Sequence, residues 1–208
     1  MSLIVVDHPL VQHKTGLLRQ IDTSTQKFRQ LSREITNLLT YEATRDLLLE
    51  EAEVTGWAGK VKTRQIQGKK IAVVPILRAG IGLLQGVLDL IPSARVNVIG
   101  LYRNEETLQP VTYFKKFSAD ISTRLAIILD PMLATGGSFL ETVKVLRASG
   151  CEAIRGICLI AAPEGAELID RHFPDVPIYT ASLDERLNEN GYILPGLGDA
   201  GDRLFGTK

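Results

Sequence analysis

The sequence predicts an α/β fold, with a mainly parallel, five-stranded sheet flanked by helices. The first observation is that five short segments between residues 71 and 181 are apolar throughout and alternate with helical stretches. Strands of that kind are typical of a parallel sheet with both faces covered. The second observation is that residues 1–68 carry the periodicities of a helix and of a β-hairpin, which we place beside the sheet as N-terminal additions.

The N-terminal part predicts an amphipathic helix followed by a hairpin. Apolar residues recur there at spacings of three and four, which is the period of a helix with one buried face. These residues are Phe28, Leu31, Ile35 and Leu38, and the N-cap candidates before them are Asp22, Thr23 and Ser24. Residues 50–54 and 60–66 alternate polar and apolar side chains around Gly56-Trp57-Ala58-Gly59, which predicts a hairpin with a glycine-containing turn.

The central part predicts five strands with helices between them. The strands are expected at residues 71–77, 96–101, 125–129, 156–162 and 176–181. Three helices are expected between them. The first follows Gly80 and extends to Leu90, the second carries an apolar stripe of Phe139, Leu140, Val143 and Leu146, and the third covers residues 164–172. Gly150 is a natural terminator of the second of these helices. Ligands of such sheets bind beyond the carboxyl ends of the strands, so candidate functional residues are sought there.

Two segments do not fit the alternating pattern. Residues 102–118 are polar and contain a proline, and residues 182–208 are rich in glycine. We expect both to be loops, and loops of that length in a compact domain are usually functional or disordered. The 208 residues fit one domain, with an N-terminal part at 1–68, a core at 69–181 and a C-terminal part at 182–208.

Composition and charge exclude several classes of protein. Lysine and arginine total 24, as do aspartate and glutamate, so the chain lacks the net basic charge typical of nucleic-acid binding. The two cysteines, Cys151 and Cys158, are too few for a disulfide framework and are expected to be reduced. No apolar run approaches the length of a membrane span. We therefore expect a cytoplasmic protein that binds neither nucleic acid nor membrane.

The strongest local signal is the segment 128–138, Ile-Leu-Asp-Pro-Met-Leu-Ala-Thr-Gly-Gly-Ser. A buried strand ends in Asp130, and small residues then open a helix whose first N–H groups have no intrahelical partner. Such groups bind anions, and Thr135 and Ser138 can add hydroxyl donors. No lysine follows the glycines, so this is not a nucleotide P-loop. On spacing alone, an ordinary strand-to-helix turn capped by Ser138 remains an equal alternative.

These residues resemble the phosphoribosyl pyrophosphate signature of the type I phosphoribosyltransferases. That family usually carries two consecutive acids where this chain has Asp130 followed by Pro131, and the departure resembles its uracil phosphoribosyltransferase branch. The resemblance extends over nearly the whole chain, at residues 8–11, 75–80, 102–117, 128–138 and 192–203. It implies the type I phosphoribosyltransferase fold with a C-terminal hood, residues 182–208, over the active site.

The resemblance implies a reaction in which uracil displaces pyrophosphate from phosphoribosyl pyrophosphate to give UMP. The catalytic residues it implies are Arg78, Asp130 and Asp199. The residues it assigns to phosphoribosyl pyrophosphate are Arg78, Arg103, Asp130, Pro131, Met132, Leu133, Ala134, Thr135, Gly136, Gly137, Ser138 and Asp199. In these roles residues 133–138 hold the 5′-phosphate, Arg78 and Arg103 contact the pyrophosphate, and Asp130 holds the ribose hydroxyls. Lys115 and Lys116 are either further contacts or a solvated loop surface.

The resemblance assigns the base to the C-terminal hood. Its uracil-binding residues are Tyr192, Ile193, Gly198, Asp199 and Ala200, and backbone groups of Ile193, Gly198 and Ala200 complement the base. It also implies Mg²⁺, held through substrate oxygens and water near Asp199, with no residue assigned as a direct ligand. As a separate structural interpretation, Asp199 and Asp202 could cap a short C-terminal helix.

Two rival functions and several partners follow from the same resemblance. The chain could be a regulator of this fold that binds RNA, for which zero net charge is unfavourable, or a sister enzyme acting on orotate or a purine. Orotate would require a cation near the base, and residues 193–200 contain none. The family resemblance implies a homodimer or higher homo-oligomer and a nucleotide effector such as GTP, although no motif here decides the regulation.

Overall fold

The central architecture is a twisted, mostly parallel sheet with helices on both faces. The structure, a computed structural model, describes residues 2–68, 71–103 and 110–207, the side chain of residue 103 excepted. The strands of this described part are, in chain order, β1 (Leu3–Val5), β2 (Leu49–Gly56), β3 (Gly59–Ile66), β4 (Ile71–Leu77), β5 (Arg95–Val96), β6 (Val98–Arg103), β7 (Pro110–Lys116), β8 (Leu125–Leu129), β9 (Met132–Leu133), β10 (Ile154–Ala161), β11 (Ile178–Leu183), β12 (Arg186–Leu187) and β13 (Ile193–Leu194). Its α-helices are α1 (Pro9–Arg19), α2 (Thr25–Ala43), α3 (Ile81–Leu90), α4 (Gly137–Ala148), α5 (Pro163–His172) and α6 (Ala200–Phe205).

The strand order creates a topological switch point. Along the sheet the order is β1-β11-β10-β8-β4-β6-β7, with β5 beside β4 and β9 beside β10. From β4 the chain continues to β6 on one side, whereas β8, β10 and β11 follow on the other side. The carboxyl ends of β4 and β8 therefore lie side by side where the winding reverses, which is the usual ligand position in such sheets.

The two sheet faces form two apolar clusters, and β8 shows why its sequence is apolar throughout. Ile127 and Leu129 pack into the cluster that includes α1, α2 and α3, whereas Ala126 and Ile128 pack into the cluster under α4 and α5. Successive side chains of a strand point to opposite faces, so a strand covered on both sides buries every one of them.

The N-terminal predictions are confirmed. Helix α2 begins after Ser24, whose Oγ accepts a hydrogen bond from the Lys27 N–H at 3.3 Å. The apolar stripe continues through Leu39, which is fully buried, while Leu38 is only partly covered. Strands β2 and β3 pair antiparallel from Leu49↔Ile66 to Gly56↔Gly59, and this hairpin exposes most of its residues.

The end of α4 also follows its sequence signal. Gly150 adopts a φ of 79°, and its N–H donates to the Arg147 carbonyl at 2.9 Å. The next N–H, of Cys151, donates to the Leu146 carbonyl at 3.0 Å. These two bonds form a Schellman motif and satisfy the last carbonyls of the helix.

The five predicted central strands are present, but the sheet is larger than predicted. The prediction of a loop over 102–118 is wrong in part, because β6 continues to Arg103 and β7 pairs with it antiparallel. Strand β1 is a further addition and pairs parallel with β11 at the sheet edge. Strands β1 and β7 depend on partners distant in sequence, and their own residues lack a clear period of two.

Among the described residues, no helix combines the length and apolar character needed to cross a bilayer.

The contact between the ends of β4 and β8 generates a stability prediction. A Cβ at Gly80 would lie 2.3 Å from the Leu129 carbonyl oxygen and 2.6 Å from the Ile76 backbone nitrogen. We expect Gly80→Ala to lower the free energy of unfolding by more than about 2 kcal/mol, because backbone atoms must move apart. Urea denaturation followed by circular dichroism measures this change.

Gly16→Ala is the matched control. Gly16 lies in α1, and an added Cβ would find no atom within 4 Å. This variant should be stabilised by about 0.5–1 kcal/mol, since alanine is the better helix former. Equal effects of the two substitutions would contradict the close-approach argument.

Candidate active site

The phosphate-type loop folds as a short excursion between β8 and α4. After β8 the Asp130 N–H donates to the Ile157 carbonyl at 3.2 Å, and Met132 and Leu133 then pair with β10 as β9. The chain turns into α4 through Gly136, whose φ of 79° is a left-handed conformation that suits glycine. The result is a concave backbone at the carboxyl edge of the sheet.

That loop encloses a small polar cavity of about 110 Å³. Its lining residues are Asp130, Met132, Leu133, Ala134, Thr135, Gly136, Gly137, Ser138 and Phe139. The first intrahelical bond of α4 runs from the Leu140 N–H to the Gly136 carbonyl at 2.8 Å. The N–H groups of residues 137–139 precede that bond and have no partner within the helix, so this end of the cavity is suited to an anion.

Asp130 has an unusual acidity at this position. Burial raises the pKa of its carboxyl to about 7, and a hydrogen bond with the Met132 backbone opposes the shift more weakly. Near neutral pH this carboxyl can therefore exist in both protonation states. A partly buried acid of that kind in a cleft is typical of a functional site.

A second cavity, of about 220 Å³, adjoins the first. Its lining combines the sheet edge with the C-terminal hood: Ala79, Asp130, Pro131, Met132, Ala134, Gly191, Tyr192, Gly198, Asp199, Ala200 and Gly201. Asp130, Met132 and Ala134 line both cavities. The structure thus brings three segments, each more than 50 positions from the next in the sequence, to one composite site.

The hood reaches this site through two short strands and α6. Asp199 is the N-cap of α6, and its Oδ1 accepts a hydrogen bond from the Asp202 N–H at 2.9 Å. The capping interpretation of Asp199 is therefore confirmed, and Asp199 also lines the second cavity. Ile193 is buried beneath the hood and lies outside both cavity linings, whereas Tyr192 is exposed at the rim.

Arg78 lies beside the hood at the carboxyl end of β4. Its guanidinium carbon is 5.3 Å from the centre of the Phe205 ring, and its Nη2 is 4.0 Å from Asp202 Oδ1. The side chain is 62% exposed and lines neither cavity. A guanidinium at this edge is placed to attract an anion that leaves the cleft.

The remaining predicted cations are Arg103, Lys115 and Lys116. Arg103 ends β6, but its side chain lies outside the described residues, and so does the segment 104–109 that follows it. Lys115 and Lys116 are exposed on β7. Sequence reasoning assigned no role to Ala79, Gly191 and Gly201, although Ala79 and Gly201 lie within the segments 75–80 and 192–203, Gly191 directly precedes the second, and all three are small enough to shape a cavity wall.

Together, the switch point, the loop between β8 and α4, and the hood define the class of protein: the chain has the type I phosphoribosyltransferase fold. An adenine phosphoribosyltransferase from Trypanosoma brucei is similar to it with a TM-score of 0.61 at 11% identity, covering 91% of this chain and 86% of that one. A hypoxanthine-guanine phosphoribosyltransferase from Bacillus anthracis has a TM-score of 0.51 at 14% identity, covering 74% and 78% of the two chains. At these identities the likeness concerns the fold alone.

Two closer similarities place the chain within this class. The AQ2163 protein from Aquifex aeolicus is 41% identical, with a TM-score of 0.94 over 99% of both chains. The family model for uracil phosphoribosyltransferase matches residues 5–207. The chain therefore belongs to the uracil phosphoribosyltransferase family, and phosphoribosyl transfer is its class of reaction.

The raised pKa of Asp130 predicts a pH-dependent gain of stability in Asp130→Asn. The carboxyl ionises near 3.8 when unfolded and at about 7 when folded, so between these values the folded state holds one more proton. The stability of the wild-type protein then falls as pH rises through this window, and the asparagine variant lacks that loss. From pH 5 to pH 8 the variant should gain about 1–3 kcal/mol relative to wild type.

Urea denaturation of the two proteins in identical buffers measures this difference. Other titrating groups are shared by both proteins and cancel in the comparison. A difference in unfolding free energy that stays constant from pH 5 to pH 8 would contradict the burial of Asp130 as described.

Proposed function

We propose that the protein transfers the phosphoribosyl group of phosphoribosyl pyrophosphate to uracil, giving UMP and pyrophosphate in pyrimidine salvage. The family match over residues 5–207 supports this substrate. The observation that carries the proposal is that an anion-type cavity adjoins a second cavity walled by the hood, with Asp130 shared between them. Such a pair suits a sugar phosphate and a base that must meet at one carbon atom.

In this proposal the loop between β8 and α4 binds the 5′-phosphate. Backbone N–H groups at residues 137–139 and the hydroxyls of Thr135 and Ser138 donate hydrogen bonds to its oxygens. Pro131, Met132, Leu133 and Ala134 shape the wall of the cavity. Asp130 lies between the two cavities, where its carboxyl can bond to the ribose hydroxyls.

The pyrophosphate is assigned to Arg78 and Arg103. A guanidinium donates two parallel hydrogen bonds to phosphate oxygens and stays charged at every relevant pH. The contribution of these residues is greatest when negative charge grows on the departing pyrophosphate, so they stabilise the transition state more than the bound substrate. No general base is assigned among the side chains that line the two cavities.

The base is assigned to backbone groups of the hood. Uracil presents an acceptor, a donor and an acceptor at O2, N3–H and O4, which N–H, C=O and N–H groups of Ile193, Gly198 and Ala200 complement. Tyr192 at the rim would cover one face of the ring. Cytosine has a donor at position 4 and an acceptor at N3, so two of the three contacts would be mismatched. Leaving polar groups of such a site unpaired can lower kcat/KM for the wrong base by orders of magnitude.

The proposed cofactor is Mg²⁺. Within the described residues no group of three acidic, histidine or cysteine side chains is close enough to hold a metal. Asp199 is exposed, and one of its carboxylate oxygens is engaged in the helix cap. This fits an ion that keeps several waters and is held chiefly by substrate oxygens with one carboxylate nearby. When bound, the ion would neutralise charge on the pyrophosphate.

Several further expectations stay predictions from the family resemblance. These are a single domain over residues 1–208, a homodimer or larger homo-oligomer, a GTP effector and a cytoplasmic location. The exposed apolar residues of the β2–β3 hairpin, Val54, Trp57 and Val61, favour self-association. The rival RNA-binding function gains no support from the formal net charge of zero.

The experiment that tests the proposed function is an assay of uracil, cytosine, orotate and hypoxanthine with phosphoribosyl pyrophosphate and Mg²⁺. We expect UMP from uracil and at least about a hundredfold lower kcat/KM for each other base. Preferential use of orotate or hypoxanthine would assign the protein to another branch. Tight RNA binding at physiological salt without turnover would favour the regulator.

Arg78→Ala tests the pyrophosphate assignment. We expect kcat to fall about a hundredfold or more, because one charge on the leaving group is lost. The thermal midpoint should hardly change, since the side chain is 62% exposed. Arg64→Ala, on the exposed face of β3, is the matched control and should retain wild-type turnover. Unchanged kinetics in Arg78→Ala would remove Arg78 from the mechanism.

Ala200→Pro tests backbone recognition of the base. Ala200 is the first residue of α6, a position that tolerates proline, and Asp199 before it has the extended backbone that proline requires. The substitution deletes one N–H donor, so uracil use should be abolished while the affinity for phosphoribosyl pyrophosphate persists. Ala200→Gly retains the donor and serves as control. Normal uracil affinity in the proline variant would refute this assignment.

A further inference from the structure

Gly196 in the hood is held at both of its backbone polar groups by one ion pair. Its N–H donates to Asp184 Oδ2 at 2.9 Å, and its carbonyl accepts from Arg19 Nη1 at 2.8 Å. Gly196 itself has a φ of 68°, and a Cβ there would lie 2.0 Å from the Ile193 carbonyl oxygen. The hood backbone is thus folded tightly at this residue and is held there by the side chains of Arg19 and Asp184.

The ion pair between Arg19 and Asp184 is bidentate, and its carboxylate is almost completely shielded from solvent. Arg19 donates to the two carboxylate oxygens of Asp184 at 2.8 and 2.6 Å, and the Asp184 side chain is 1% exposed. Ser182 Oγ donates to the same carboxylate at 2.7 Å. Burial opposes ionisation of Asp184, but the hydrogen bonds from Arg19, Ser182 and Gly196 outweigh it and keep the pKa of its carboxyl below the usual value.

The pair links the end of α1 to two points of the hood that are 12 positions apart. Arg19 is the last residue of α1, Asp184 directly follows β11, and Gly196 belongs to the hood. A second arginine supports the same link, because Arg203 donates to the Leu197 carbonyl at 3.0 Å and to the Gln20 carbonyl at 2.6 Å. Two consecutive carbonyls of the hood are therefore bound by arginines. Arg19, at the end of α1, binds the Gly196 carbonyl, and Arg203 connects the Leu197 carbonyl to Gln20, the residue after α1.

The fastened residues lie between the groups assigned to the base. Gly196 is three residues after Ile193 and two before Gly198, whose backbone groups are proposed to read uracil. Recognition by backbone groups depends on the position of the chain, since no side chain can adjust to compensate for a shift. Arg19 and Asp184 themselves lie outside the linings of both cavities.

We propose that Arg19 and Asp184 are positioning residues that set the base selectivity of the enzyme by fixing the hood backbone at Gly196. This inference rests on the proposed function of the hood. The pair acts on the base side alone, because the loop at residues 133–138 that is assigned to the 5′-phosphate has its own supports in β10 and α4. A merely structural pair would instead affect both substrates alike.

The test compares Asp184→Asn, Arg19→Ala and Arg19→Lys with wild type in steady-state kinetics for each substrate. Asp184→Asn and Arg19→Ala should raise the KM for uracil at least about tenfold, as expected when one or more hydrogen bonds are lost. The KM for phosphoribosyl pyrophosphate should stay within about twofold, and the preference for uracil over cytosine should narrow. Arg19→Lys keeps the positive charge but loses the bidentate hydrogen bonding of the guanidinium. Its effect on the KM for uracil should therefore lie between those of wild type and Arg19→Ala.

Asp89→Asn is the matched control, because Asp89 accepts a bidentate pair from Arg33 between α2 and α3. It should leave both KM values and the base preference unchanged. Should Asp184→Asn fail to fold, Arg19→Lys carries the comparison. Thermal midpoints are measured for all variants.

The outcomes separate the two proposals. If wild type uses uracil and the folded variants keep its KM and base preference, or lose affinity for both substrates equally, the positioning role is overturned while the proposed function stands. If wild type prefers another base, the same comparison is made with that base. If wild type turns over none of the four bases, both proposals fall.

Discussion

The close contact between the carboxyl ends of β4 and β8 is the constraint on which the site depends. At this point the chain reverses its winding, and Gly80 lets the turn after β4 approach the Leu129 carbonyl without a side chain between them. The turn that carries Arg78 and the loop that begins at Asp130 consequently open on the same edge of the sheet. A larger turn would separate Arg78 from the loop that begins at Asp130, so the proposed chemistry of the site depends on a packing detail of the core.

The pKa values of two buried acids at this edge are shifted in opposite directions. Asp130 lies beside small apolar neighbours and has no cationic partner among its described contacts, so desolvation raises its pKa to about 7. Asp184 is also buried, but it accepts hydrogen bonds from Arg19, Ser182 and Gly196, and its pKa is lowered. The first carboxyl is left with acceptor capacity for a ligand, whereas the second is saturated by the protein. This contrast separates a group suited to binding from a group suited to fixing the backbone.

Much of the sheet and of the anion loop could be predicted from the sequence, because both depend on local signals. A fully apolar strand such as 125–129 predicts its own burial on both faces of the sheet, and the acid and paired glycines after it predict the loop. Strands β1 and β7 could not be predicted in this way, since each exists through pairing with a distant strand. The Arg19–Asp184 pair was missed for the same reason: 165 positions separate the two residues, and neither belongs to a recognisable motif.

The hood shows how a segment with little periodicity acquires a defined structure. Its strands β12 and β13 contain two residues each, too few to be stable alone. Side-chain contacts replace the missing local stability: Glu164 Oε1 accepts from the Leu187 N–H at 2.9 Å, Arg19 and Asp184 hold Gly196, and Arg203 holds Leu197. All of these contacts use the backbone of the hood. The proposed recognition of the base through main-chain groups depends on the position of this backbone, and Arg19 and Asp184, at the ends of α1 and β11, hold it at Gly196.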